Sequence, residues 1–385
     1  MADRKQHAGA VLTIDLGAVR SNYRLLCSRA QGAACGAAVK ADAYGLGAIP
    51  VAQALAEEGC PHFFVAHLDE GIALRPHLPP AADIFVLHGP LSGTEYEFVE
   101  HRLIPVLNSS EQVAGWRRTA HTLNRTLPAV VQIDTGMSRL GLSPSEVEQW
   151  VAEPDFLRGV ELRYLMSHLA CAERQDHPKN AAQLAAFNAA RSMLPRCPGS
   201  FANSSGIFLG AAYHFDLVRP GAALYGIAPV DGAPNPMQPV VTLRAPIIQT
   251  RTIQSGDTVG YGASYRATGE RRLATIAVGY ADGWLRSLSH RGFAMIGGVA
   301  APLVGTVSMD TCVLDVSHVS PACTQDGAFV DLISHAQPVD AVAALAGTIG
   351  YEILTSLGHR YHREYVGARQ SHETAEAPQS AEFSV

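Results

Sequence analysis

Lys40 lies in the stretch GAAVKADAYGLGA, residues 36–48, between an apolar run and a turn rich in glycine and tyrosine. Lysine is scarce in this chain: Lys5, Lys40 and Lys179 stand against 26 arginines. Arginine could supply a mere cation at position 40, so the amine itself draws interest. An amine forms an imine with an aldehyde, and a guanidinium does not. Partial burial and cationic neighbours lower a lysine pKa from about 10.4 and free the nucleophile. The plain alternative is a lysine that snorkels to solvent or pairs with Asp42. Other polar residues fall directly after apolar runs: Asp134 after VVQI, His168 after YLMS, Asn203 and Ser204 after SFA, and Arg219 after DLV. One such residue means little; five on a common rim make a site.

The elements that would place them on one rim are short and alternate. Candidate strands are 36–41, 62–67, 83–87, 103–107, 129–134, 161–168, 200–203 and 216–221, each apolar enough for a buried parallel strand. Candidate helices begin after Asp15, run through LGAIPVAQALAEEG to a stop at Gly59, and occupy NAAQLAAFNAARSML. Eight strands alternating with helices over roughly 220 residues predict an α/β fold, a (β/α)8 TIM-type barrel with catalytic groups at the C-terminal ends of the strands. A doubly wound open sheet is the rival, but the first strand–helix turn lacks G-x-G-x-x-G.

The segment APVDGAPNPMQPV, 228–240, reads as a linker. Beyond it short strands and tight turns dominate, which predicts a mainly β C-terminal domain. The expected division is 1–235 for the barrel, 236–366 for the β domain and 367–385 for a polar, disordered tail. A net charge of −6 without any run of Lys and Arg speaks against nucleic acid as a partner. No run of 18 apolar residues suggests a membrane span, and the N-terminus lacks a signal-peptide core. Seven cysteines with no C-x-x-C pair argue against a disulfide framework or zinc cluster and fit a reducing cytoplasm; no metal is expected.

The stretch AAVKADAYGLGA resembles the pyridoxal-phosphate (PLP) lysine motif of alanine racemases. Further segments resemble that family in its order: IDTGMSRLGL, SHLACAE, ANSSGIFLG, VRPGAALYG, VGYGASY, VGYADG, GTVSMDTCVLDVS and GYEILTSLGHRYHREY. The resemblance runs from about residue 11 to 366. It implies a PLP-binding barrel followed by a β domain, and a head-to-tail homodimer whose partner completes each active site.

The resemblance also implies roles. Lys40 would tether PLP and act as one of two bases. Tyr44, Ser204, the Gly221 backbone and Tyr351 would cradle its phosphate, with Asn203 beside them. Arg219 would face the pyridine nitrogen; as a permanent cation it opposes protonation there and makes the coenzyme a weaker electron sink. Tyr261, from the partner subunit, would be the second base on the opposite face of the substrate, tuned through His168 and Arg219. Tyr261 would take the proton from the L-enantiomer and Lys40 from the D-enantiomer. Arg139 and the Met309 N–H would hold the substrate carboxylate, and Asp310 would support that turn. Tyr280, Tyr351 and Thr306 would line the entrance. Asp134 reads as structural.

Three positions depart from the family's pattern; the mildest is Leu169, a core swap where phenylalanine is frequent. Gln132 stands where a lysine, carbamylated in some members, is often found, and as an amide it remains able to bond Arg139. Thr306 replaces an arginine of the entrance corridor. The expected activity is interconversion of L- and D-alanine, supplying D-alanine for peptidoglycan. The alternatives are an amino-acid racemase of broader specificity, a PLP decarboxylase of the same barrel type and a non-enzymatic PLP carrier.

Overall fold

The short apolar runs form a ring of parallel strands. The computed structural model describes residues 9–30, 32–194 and 197–368. Its nine-segment sheet runs Ala37–Ala38, His62–Val65, Asp83–Val86, Ile104–Leu107, Leu127–Gln132, Val160–Met166, Gly199–Asn203, Leu217–Arg219 and Ala34–Cys35. Every paired neighbour is parallel. The two end segments are one strand interrupted at Gly36, so the ring closes into the expected eight-stranded barrel. The Gly36 N–H donates to the Val218 carbonyl at 2.9 Å, and the Val39 N–H reaches across to Phe64 at 2.9 Å. A side chain at Gly36 would meet the Phe64 ring at 2.7 Å, so glycine lets the two sides of the ring approach.

Strand residues alternate between two cores. Ala38, Phe64, Phe85, Val106, Val130, Met166 and Leu217 fill the barrel, with Phe64 and Phe85 stacked at 4.8 Å. Their neighbours Ala37, Phe63 and Ile84 face the surrounding helices. Burial on both faces explains why these strands read as nearly continuous apolar runs. The helices start where their caps dictate. The Asp15 carboxylate accepts the Ala18 N–H at 3.0 Å at the head of Leu16–Arg29. Ser143 and Glu146 form a capping box at Pro144–Ala152. The expected helices at Ala48–Glu57 and Pro178–Ser192 are present.

The second sheet is mainly antiparallel and is centred on the long strand Val241–Ile253. That strand pairs with Arg271–Ile276 and Phe329–Ile333. Two short helices, Val339–Ala346 and Gly350–Ser356, follow. Val11–Asp15, which the expected boundaries put with the barrel, pairs with this sheet: antiparallel to Val241–Ile253 and parallel to His362–Val366. The chain thus begins in one unit, builds the barrel and returns. The expected disordered tail lies, from residue 369 on, outside the described residues. All seven cysteines are free. Among the described residues no helix is long and apolar enough to cross a membrane.

Candidate active site

The first barrel strand ends at Ala38, earlier than the 36–41 expected, because the chain turns left-handed. Ala41, Asp42, Ala43 and Tyr44 have φ of 52°, 53°, 52° and 57°. A left-handed turn of residues with side chains costs on the order of 1–2 kcal/mol per residue, and such strain persists only where surroundings impose it. Here they do. Glu70 accepts the Ala41 N–H at 2.6 Å, and Asp42 accepts the Ala48 N–H at 2.7 Å. From the C-terminal unit, Arg363 donates to the Gly45 carbonyl at 2.6 Å and Tyr365 to Leu46 at 3.0 Å. The turn swings Tyr44 inward directly after Lys40.

Lys40 lines a cavity of about 500 Å³ at the C-terminal rim of the barrel. Tyr44, Arg139, His168, Asn203, Ser204, Arg219, Gly221 and Tyr351 line it too. Nine of the residues singled out from sequence are therefore brought together. The Lys40 side chain has no hydrogen bond or ion pair among the described residues, and Asp42 is engaged elsewhere. Burial pushes the Lys40 amine below its ordinary pKa; Arg139 and Arg219 push it the same way, against Glu70. That is the environment of a nucleophilic amine.

Arg219 is buried and held on three sides. It donates to Ser200 Oγ at 2.7 Å and to the Ser167 carbonyl at 2.7 Å, and lies 3.3 Å from His168 Nδ1. Burial lowers it to about 9, which leaves it cationic at neutral pH. Burial, with Arg219, Arg139 and Lys40 nearby, drives His168 well below the ordinary imidazole value. A neutral His168 can accept at Nδ1 from Arg219, which assigns its proton to Nε2. Arg139 has no polar partner among the described residues and is available to an anion.

The donor set fits PLP. Ser204 Oγ accepts from the Gly221 N–H at 2.9 Å and the Ala223 N–H at 3.2 Å. The Gly221 N–H expected to meet the phosphate thus meets Ser204 instead. A hydroxyl that accepts twice directs its own hydrogen elsewhere. A Cβ at Gly221 would fall 2.4 Å from the Tyr44 hydroxyl, so only glycine leaves that corner open. The Tyr44 ring packs 4.8 Å from Tyr225 and 6.0 Å from Tyr351. Tyrosine and serine hydroxyls, a glycine corner, two arginines and one free amine suit a phosphorylated aldehyde.

The remaining residues lie outside this cavity. Tyr261 is 76% exposed on the hairpin that joins Thr258–Val259 to Tyr265–Arg266. Met309 and Tyr280 are also exposed. Thr306 packs beside Gly260 and bonds Ser264 at 3.1 Å, which in turn meets His290 at 3.1 Å. Asp310 bonds Arg360 at 2.7 Å. Gln132 donates its amide N–H to the Leu140 carbonyl at 3.1 Å, and among the described residues its oxygen accepts no bond from Arg139. Asp134 collects the N–H groups of Gly136, Met137 and Ser138, organising the turn before Arg139.

Sequence reasoning missed several residues. Ser200, Ser167 and Gln183 were hidden inside apolar or helical stretches. Gln183 holds the His168 carbonyl and the Ala170 N–H, both at 2.9 Å. Glu70 also accepts the Ala66 and His67 N–H groups, at 2.6 and 3.0 Å, at the head of the helix Leu68–Leu74. Thr355 and Glu352 reach the cavity from the same short helix as Tyr351.

Comparison with known proteins agrees along the chain. Residues 14–229 match the family model of the alanine racemase N-terminal domain, and residues 240–365 match that of the C-terminal domain. A Mesorhizobium japonicum protein named "Alanine racemase, catabolic" is 54% identical over 94% of both chains. A Brucella canis alanine racemase is 46% identical over 94% of this chain and 95% of its own. The crystal structure of Bartonella henselae alanine racemase with covalently bound pyridoxal phosphate superposes with a TM-score of 0.91. It is 43% identical and covers 93% of this chain and 100% of that one. The decarboxylase and the coenzyme carrier considered above lose their footing against two matched racemase domains. The chain belongs to the alanine racemase family, PLP-dependent isomerases of amino acids.

Proposed function

We propose that this protein interconverts L- and D-alanine by two-base proton transfer, with Lys40 on one face of the substrate and the partner subunit's Tyr261 on the other. The observation that carries this reading is the unpaired Lys40 amine, depressed by burial and by Arg139 and Arg219, in a cavity that fits the coenzyme. Bound PLP supplies covalent attachment and an electron sink that acidifies the substrate α-carbon.

The chain's own residues do the rest. Lys40 removes or returns a proton at one face. Tyr261, exposed in the single chain, does so at the other once a second copy presents it. Opposite faces are required, since one group acting alone returns the proton to the side it left. His168, kept neutral, leaves its Nε2–H for the phenol oxygen. Arg219 presents a cation to the pyridine nitrogen and discourages its protonation. Tyr44, Ser204, Asn203 and Tyr351 would hold the phosphate, in a corner that Gly221 keeps open while its N–H orients Ser204. Arg139, with the Met309 N–H of the partner's loop, grips the substrate carboxylate. Tyr280, Tyr351 and Thr306 narrow the approach. The exposure of Tyr261 and Met309, outside the cavity they would serve, supports the reading of a head-to-tail homodimer. The cytoplasm, where reduced cysteines persist, is the proposed location.

A racemase reaches the same equilibrium from either side, so one site serves D-alanine supply for peptidoglycan or D-alanine breakdown. The test is L- to D-alanine conversion in deuterated solvent. D-Alanine carrying deuterium at its α-carbon is expected; a product that retains the original hydrogen throughout would sink the two-base assignment. The same assay with serine, lysine and arginine enantiomers measures strictness, and alanine is expected to turn over fastest.

A further inference from the structure

Arg219 is held through Ser200, a residue with no part in the chemistry above. Ser200 is 1% exposed and its hydroxyl donates to the Leu217 carbonyl at 2.7 Å. That bond fixes the hydroxyl hydrogen, so the oxygen lone pairs turn toward Arg219 Nη1, also at 2.7 Å. The Ser200 carbonyl accepts the Ser167 N–H at 3.1 Å, and the Ser167 carbonyl accepts Arg219 Nη2 at 2.7 Å. One residue thus ties three adjacent strands at the level of the guanidinium.

Backbone pairing does not fix Arg219 by itself. Leu217 pairs with Ser200 but Arg219 pairs with Asn203, so the register slips between them. The other anchors, the Ser167 carbonyl and His168 Nδ1, both grip Nη2. A planar fork held at one nitrogen can pivot about it; a bond at Nη1 stops the pivot. The acceptor is also neutral. A carboxylate there would neutralise the cation, whereas a hydroxyl orients it and leaves its field directed at the cavity.

We propose that Ser200 is a positioning residue that sets the roll of the Arg219 guanidinium and thereby the electronic state of the coenzyme. This rests on the reading in which Arg219 faces the pyridine nitrogen. The test compares the holoenzyme with Ser200→Ala, Ser200→Cys, Ser200→Thr and Arg219→Ala. It follows the pH titration of the bound coenzyme's absorption band and the PLP dissociation constant. Ser200→Ala and Ser200→Cys are expected to move the titration toward that of Arg219→Ala and to weaken PLP binding about tenfold. Ser200→Thr keeps the hydroxyl and is expected to match the parent.

Parental titration and affinity in Ser200→Ala or Ser200→Cys would overturn the proposal, as would Ser200→Thr behaving like Ser200→Ala. Two Ser200 variants without the hydroxyl keep the test decisive should one fold poorly. If Arg219→Ala itself leaves the titration unmoved, the Arg219 assignment fails and the role of Ser200 with it. If Arg219→Ala shifts and Ser200→Ala does not, only the Ser200 inference falls.

Discussion

Lys40 and Tyr261 sit in opposite kinds of surroundings. Lys40 follows a barrel strand, with a left-handed turn pinned by Glu70 on one side and by Arg363 and Tyr365 of the other unit. Its electrostatic partners, Arg139, Arg219 and His168, are already in place. Tyr261 stands 76% exposed on a two-residue-per-strand hairpin that packs on a small core of Val259, Leu273 and Val304. The barrel half is finished by folding; the hairpin half carries the proposed second base out in solvent. Strain and buried charge can be tolerated where many bonds converge, whereas an exposed phenol acquires its environment only by association. If Tyr261 is the second base, as proposed, activity depends on the proposed dimer.

The largest effects follow from removing either base. Lys40→Ala should abolish racemisation and the absorption of lysine-bound coenzyme. Tyr261→Phe should keep that absorption and lose about 10²–10⁴-fold in proton removal from L-alanine. Mixing the two inactive variants sharpens the contrast between the halves. If each site takes Lys40 from one chain and Tyr261 from the other, half the dimers are mixed and half of their sites intact. About a quarter of parental activity should then return. No recovery after verified subunit exchange would put both bases in one chain and end the division drawn above.

A middle-sized effect probes the finished half alone. Gly221→Ala places a Cβ 2.4 Å from the Tyr44 hydroxyl. Tyr44 is confined by Tyr225 and by the strained turn it ends, so it has little room to retreat. The variant should lose about 1–3 kcal/mol of stability and bind PLP more weakly. Denaturant unfolding and PLP titration check this. Parental values for both would mean that the corner around Tyr44 is looser than the strained turn implies.

Much of this site was readable in sequence, for one physical reason. A polar residue directly after a buried parallel strand is held at the barrel rim, and that pattern located Lys40, His168, Asn203, Ser204 and Arg219. The left-handed turn was not readable, because Ala41, Asp42 and Ala43 carry none of the glycine that usually announces such backbone. Tertiary bonds from residues as distant as Arg363 and Tyr365 impose it. The expected 1–235 boundary puts Val11–Asp15 with the barrel; its true partners lie more than two hundred residues away. The helix Val339–Ala346 was missed although its signal was present, an alanine-rich stretch stopped by a left-handed Gly347. Tyr261 was found through family resemblance alone, since exposure on a hairpin has no signature.

The smallest effect concerns His168, where burial and three cations oppose the imidazolium. Its folded pKa lies well below the ordinary value of about 6.5. Above that value neither the folded nor the unfolded chain protonates it, and it contributes no pH dependence. Below it the unfolded chain takes up a proton that the native state refuses. Stability therefore falls as the solution is acidified, with a slope from this residue of up to about 1.4 kcal/mol per pH unit. His168→Gln keeps an acceptor for Arg219 and removes the titration. At matched protein concentration, the parent should lose more stability than His168→Gln between pH about 7.5 and about 5.5. Equal losses would mean that the cationic half of the site tolerates a further charge, and the electrostatic contrast with the exposed hairpin would then disappear.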